Sequence, residues 1–124
     1  MKRASLLSAT GSWFATRSMK TIHIALSVSD IAASVADYSA RLGHDPEVVV
    51  PDQYALWRTP HVNLSIRKVA AGSGALRHLG WEDDASAAFT SDTDINGIVW
   101  ERFSAEAQAK EIHETWPEVD YTAR

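Results

Sequence analysis

Two histidines and a glutamate stand out for the chemistry they could share. His23 lies in the apolar run Ile22-His23-Ile24-Ala25-Leu26, and His78 lies in Arg77-His78-Leu79-Gly80-Trp81. In both, the histidine is followed by a branched aliphatic, a tiny residue and a bulky apolar one. Glu101 sits in a third apolar run, Ile98-Val99-Trp100-Glu101-Arg102-Phe103. Two imidazoles and one carboxylate brought in from separate strands form the ligand set of a divalent-metal site that keeps coordination positions open. A single strand histidine is more often structural than a ligand. The recurrence of one context around both histidines is what sets this pair apart.

Composition narrows the chemistry. The chain has 124 residues and no cysteine, so disulfides and thiolate metal sites are excluded, and imidazole and carboxylate remain as the strong ligands. Its formal charge is −4, and the 12 Lys and Arg are scattered, against the concentrated basic face that nucleic acid requires. No run approaches the roughly 18 apolar residues that cross a membrane. These features lead us to expect a cytoplasmic protein with a small-molecule ligand, and neither nucleic acid nor membrane as partner. Residues 1–18 read differently, with Lys2, Arg3 and Arg17, several serines and no acidic residue. The apolar pair Leu6-Leu7 is too short for a secretory core, and Met19 stands directly before the first strand, so this segment is set apart as a disordered or mis-assigned lead-in. The domain is expected over 19–116, with 117–124 as a tail.

The elements that must position these residues follow from periodicity. Over 21–28, Ile22, Ile24, Leu26 and Val28 alternate with His23, Ala25 and Ser27, the pattern of a strand with two unlike faces. The aliphatic face should meet a helix, with His23 on the other side. Asp30 is a good N-cap; Ile31, Val35, Tyr38 and Leu42 follow at helical spacing, and Gly43 closes the helix. Strands are expected at 47–50, 54–58 and 62–67, the last alternating Val62, Leu64 and Ile66 with Asn63 and Ser65. After the connector Gly72-Ser73-Gly74, a strand at 76–82 carries His78, Asp83-Asp84 could cap a short helix through Phe89, and Asn96-Gly97 turns into a strand at 98–103. Ser104 caps a terminal helix whose Ala105, Ala109, Ile112 and Trp116 form one stripe, ended by Pro117.

The order strand, helix, strand, strand, strand, restarted with a second histidine, resembles the vicinal oxygen chelate superfamily, which includes glyoxalase I, extradiol dioxygenases and bleomycin resistance proteins. The nearest look is to its small branch of arsenic-carbon lyases and cadmium-induced proteins. The residues that carry the likeness are His23 to Asp30 with Ser34 and Tyr38, Leu42-Gly43, Pro46, Tyr54-Ala55, Pro60 to Ser65, His78-Leu79-Gly80 and Asn96 to Glu101. The resemblance implies an α+β fold of paired βαβββ modules forming a curved mixed sheet, the first module over 20–70 and an abbreviated second over 75–104, followed by the helix at 104–116. Helices would lie on the outer face, with His23, Asn63 and Ser65 on the concave side. The metal ligands implied are His23, His78 and Glu101, with Glu101 also catalytic and the ion Fe, Mn, Ni or Zn. Where the four-ligand glyoxalase pattern has a further glutamate, this chain has only Asn63 and Ser65, and it lacks the cysteine pair of the arsenic-carbon lyases.

Substrate-binding residues are expected at Asn63, Trp57, Trp81 and Arg67. The tryptophans are either core or an aromatic wall around a planar ligand. Arg67 and Arg77, flanking the connector, could each pair with an anionic substrate. The shortness of the second half implies a homodimer that completes the sheet, with the terminal helix as cover or interface through Ile112 and Trp116. Asp92 to Gly97 resembles the start of a calcium loop, but Phe103 stands where its bidentate glutamate belongs. His44, His61 and His113 read as loop or surface residues. Two functions remain open: a metal-dependent dioxygenase or lyase/isomerase acting on a small oxygenated substrate, and a metal-free sequestering protein of the bleomycin-resistance kind.

Overall fold

The computed structural model describes residues 19–71 and 73–124; the lead-in expected over 1–18 and Gly72 of the connector lie outside them. The fold is α+β, an open seven-strand mixed sheet with two helices. In chain order the elements are β1 (Lys20–Val28), α1 (Ile31–Leu42), β2 (Val48–Val50), β3 (Tyr54–Arg58), β4 (Val62–Lys68), β5 (Leu76–Asp83), β6 (Thr90–Thr93), β7 (Val99–Phe103) and α2 (Ala105–Thr115). The sheet order is β2-β3-β4-β1-β5-β7-β6. β1 runs parallel to β4 and antiparallel to β5, and β5 runs parallel to β7. Both histidine strands therefore sit side by side at the centre of the sheet. Among the described residues, no helix is long and apolar enough to cross a membrane.

The even–odd alternation of β1 divides the molecule into two layers. Leu26 and Val28 face α1, where they pack with Ile31, Ala55, Trp57 and Ile66 and with the partly buried Val35, Tyr38, Leu42 and Leu64. Removing each large side chain of that set from water is worth about 1.5–3 kcal/mol, which is why this helix docks where it does. Its start is fixed by Asp30, whose carboxylate accepts the Ala33 N–H at 3.0 Å, and its end by Gly43 in the left-handed region at φ 64°.

The terminal helix does not join α1 on that face. Ile112 packs against Val48, Val50, Tyr54 and Leu56, with Trp116 beside them, so α2 lies on the opposite side, the side of His23. Helices thus occupy both faces rather than the outer one alone, because β3 presents Ala55 and Trp57 toward α1 and Tyr54 and Leu56, beside Val48 and Val50 of β2, toward α2. Ile112 and Trp116 act as cover within the chain.

The helix expected to run from Asp83-Asp84 through Phe89 does not form. Asp83 ends β5, with its carboxylate accepting the Ala85 N–H at 3.0 Å, so it caps a turn. The chain then enters β6, a polar edge strand absent from the sequence reading, whose four residues are all exposed. The turn into β7 is organised by Asp94, which accepts the Asn96 and Ile98 N–H groups at 2.8 and 3.0 Å and the Trp100 indole at 2.9 Å.

Candidate metal centre

Register brings the three candidate ligands onto one face. His23 is level with Asn63 on β4 and Gly80 on β5, and Gly80 is level with Glu101 on β7, so these residues form one row across the sheet. His78, level with Ala25, stands one step along the same face. Gly80 occupies the middle of the row because nothing larger fits: a β-carbon there would collide with the backbone carbonyl oxygen of Glu101. Its bareness leaves the space into which the flanking side chains converge.

The resulting geometry is tight. His23 Nε2 lies 3.0 Å from His78 Nε2, and His78 Nε2 lies 3.0 Å from Glu101 Oε1. All three donor atoms fall within 4.8 Å of one another. Metal–nitrogen and metal–oxygen bonds of about 2.0–2.2 Å at right angles put neighbouring donors about 3.0 Å apart. The two separations through His78 thus match edges of an octahedral ligand set, and the donor chemistry, two imidazoles and a carboxylate, fits a divalent ion. His23 is 2% exposed, whereas the His78 and Glu101 side chains are 15% and 29% exposed, so the site opens at its glutamate end.

A buried network holds the deepest ligand. His23 Nδ1 donates to the Asn63 side-chain oxygen at 2.9 Å, with the Asn63 backbone carbonyl at 3.1 Å, and Phe103 meets the ring edge-on at 4.9 Å. That bond fixes the proton on Nδ1 and leaves Nε2 free to donate its lone pair. Asn63 in turn donates to Glu82 at 2.8 Å and to Gln108 of α2 at 2.7 Å, and its oxygen accepts from Gln108 at 3.2 Å. Arg58 grips Glu82 with bonds of 2.8 and 3.0 Å.

Electrostatics follow from these contacts. Burial lowers the His23 pKa below the ordinary 6.5, aided by the neighbouring His78 and opposed by the Asn63 bonds. The hydrogen bond from His78 holds Glu101 below the usual carboxylate value, against the effect of burial. For Glu82 burial pushes upward, but the bonds from Arg58 and Asn63 outweigh it and the net shift is down. The ligands are thus poised as one neutral ring and one carboxylate anion.

The other expected site residues divide. His23, His78, Glu101 and Arg67 line one cavity of about 250 Å³, together with Arg77, Gln108 and Glu111 among others. Asn63 has no exposed surface and stands behind His23. Trp57 is fully buried in the α1 core on the opposite face, its indole donating to Ser39 at 3.2 Å. Trp81 also lies on the face away from Glu101, its ring 6.3 Å from that of Trp100. Sequence reasoning passed over Glu82, Gln108 and Arg58. Two signals pointed to the first two: Glu82 shares the parity of His78 and Gly80, and Gln108 falls one turn after Ala105 in the apolar stripe. No protein-family model matches the chain, and no curated protein matches it. What the site can do follows from its own donor atoms.

Proposed function

We propose that this chain is a divalent-metal-dependent enzyme of the vicinal oxygen chelate type, a dioxygenase or a lyase/isomerase acting on a small oxygenated substrate. The observation that carries this is the convergence of His23 Nε2, His78 Nε2 and Glu101 Oε1 within 4.8 Å, from three different strands. An ion bound there supplies Lewis acidity toward chelated substrate oxygens, or dioxygen chemistry where it is Fe(II). His23 is aimed by Asn63, Glu101 supplies the anionic ligand and a proton acceptor at the mouth of the cavity, and Phe103 excludes water behind the ring. Fe(II), Mn(II), Ni(II) and Zn(II) all suit this donor set.

Strand order supports the family resemblance. β1 is parallel to β4, with β3 and β2 beyond it; β5 is parallel to β7, with β6 beyond it. In our reading these are a full module and an abbreviated one that lacks a helix and one strand. The same proposal makes the protein a cytoplasmic homodimer with a small-molecule ligand. Partly exposed Leu79, Trp81 and Trp100 share the face that α1 leaves uncovered, and β2 and β6 are open sheet edges. Light scattering at micromolar concentration should return the dimer mass; a monomer mass would remove this part.

The competing reading, a metal-free sequestering protein, draws on the way His23, His78 and Glu101 satisfy one another by hydrogen bonds. Calorimetric titration of Mn(II), anaerobic Fe(II), Ni(II) and Zn(II) into untagged wild type and into His78→Ala separates the two. We expect stoichiometric uptake by wild type and loss of uptake in the variant. No uptake by wild type, or equal uptake by the variant, would leave the sequestering function.

A further inference from the structure

Arg67 and Arg77 line the same cavity as the three ligands, yet neither has a role in holding them. They arrive there by different routes. Arg67 follows Asn63 and Ser65 by plain alternation on β4. Arg77 should by alternation point away from His78, but β5 slips against β1: Ala25 is level with His78 and Leu26 with Leu76, leaving Arg77 as an extra residue. A bulge of this kind re-aims a side chain, and here it turns Arg77 to the face of the cavity beside His78.

Both guanidiniums share the cavity with the carboxylates of Glu101 and Glu111, but neither is held by one. Arg41, Arg58, Lys68 and Arg102 are paired with Asp37, Glu82, Asp52 and Asp83, and among the described residues no ion pair includes Arg67 or Arg77. Arg67 lies over the Trp116 ring at 5.0 Å, which fixes its plane, and its Nε is buried without a partner. Both guanidiniums face one cavity, where like charges repel unless an anion lies between them. Glu111 lines the same cavity and competes with a bound anion for the two guanidiniums. Two unpaired forks with planar donor geometry suit a bidentate oxyanion.

The geometry points to an oxyanion subsite formed by Arg67 and Arg77, which holds a carboxylate or phosphate group of a small substrate while its remaining oxygens face His23, His78 and Glu101. The second half of this statement rests on the proposed metal reading; the anion subsite itself does not. The cavity, about 250 Å³, lies below the roughly 300–1,000 Å³ of sites for drug-sized ligands, so the ligand is a small acid and not a nucleotide.

The test is calorimetry on the full chain, with and without Mn(II), using glycolate, inorganic phosphate and the neutral analogue glycolamide as probes. At least one anion should bind wild type about tenfold or more tighter than glycolamide, and Arg67→Gln and Arg77→Gln should each weaken it about tenfold. Whichever of glycolate or phosphate binds tighter identifies the group. Arg77 is exposed enough for its variant to keep the wild-type melting curve, and Glu111→Gln, which removes a competing carboxylate, should strengthen anion binding. Anions that bind no better than glycolamide, or that bind the Arg77→Gln variant as well as wild type, would overturn the subsite. Arginine-dependent anion binding without any Mn(II) uptake would support the subsite and remove the metal reading alone. Mn(II) uptake with no preference for the acids would do the reverse.

Discussion

Replacing Asn63 by alanine should unlock the centre of the molecule. Asn63 is wholly buried and bonds to His23, Glu82 and Gln108. Without it His23 Nδ1 keeps only the backbone carbonyl at 3.1 Å, and Glu82 keeps its two bonds from Arg58. Gln108, 4% exposed, loses both the bond it accepts and the bond it donates. An unsatisfied buried polar atom costs about 1–3 kcal/mol, so two of them, eased by water entering the vacated space, cost about 3 kcal/mol. Against a total stability of about 5–15 kcal/mol this is a large fraction. With a urea slope of about 1.5 kcal/mol/M, the unfolding midpoint should fall by about 2 M. A second substitution, Gln108→Leu, removes the orphaned amide and should recover at least part of the loss. A midpoint that moves by less than about 0.5 M in Asn63→Ala, or a double variant less stable than the two single losses combined, would refute the network as described.

Further outcomes follow from the same residues. Gly80→Ala drives a β-carbon into the Glu101 carbonyl, so β5 and β7 must part; we expect a loss of about 1–3 kcal/mol in urea unfolding and weaker metal uptake, and wild-type stability would contradict the close approach. Acid should destabilise the metal-free protein in two stages. The unfolded chain protonates His23 near 6.5 and Glu82 near 4.5, whereas the folded state holds both values lower, so unfolded molecules bind more protons and stability falls as pH drops below each ordinary value. Urea midpoints should therefore decline from pH 7.5 to 5.5 and again toward pH 4, and a flat or rising profile would count against the buried neutral imidazole. Arg58→Gln should shrink the lower stage and leave the upper one, because Glu82 then loses two of the bonds that keep it ionised while Glu101 keeps its own from His78.

Much of the scaffold was legible because it rests on local rules. The Asp30 and Ser104 caps, the Gly43 stop and the alternation of β1 each depend on a few neighbouring residues. The pairing of His23 with His78 was legible from their repeated context. What escaped depends on partners far along the chain. β6 is short, polar and fully exposed, so it carries no alternation to read and exists because β7 offers it a backbone edge. Asp83-Asp84 looks like a helix cap, but Asp83 is held at the end of β5, with Arg102 at 3.3 Å. Trp57 and Trp81 were placed near the substrate from residue type, whereas face is set by register: Trp57 is level with Leu64, and Trp81 with Ile22, on the side away from His23. The apolar stripe of α2 was plain, but nothing in it says which face of the sheet it covers. The slip that turns Arg77 inward is a property of two strands together and leaves no mark on either alone.

The most direct measurement of the metal centre is X-ray absorption at the zinc edge on stoichiometrically loaded, untagged protein. We expect imidazole scattering from two histidines per ion with metal–ligand distances of about 2.0–2.2 Å, reduced to one histidine in His78→Ala and in His23→Ala. An ion whose histidine count is unchanged by both substitutions, or a protein that retains no zinc after exhaustive dialysis, would contradict it.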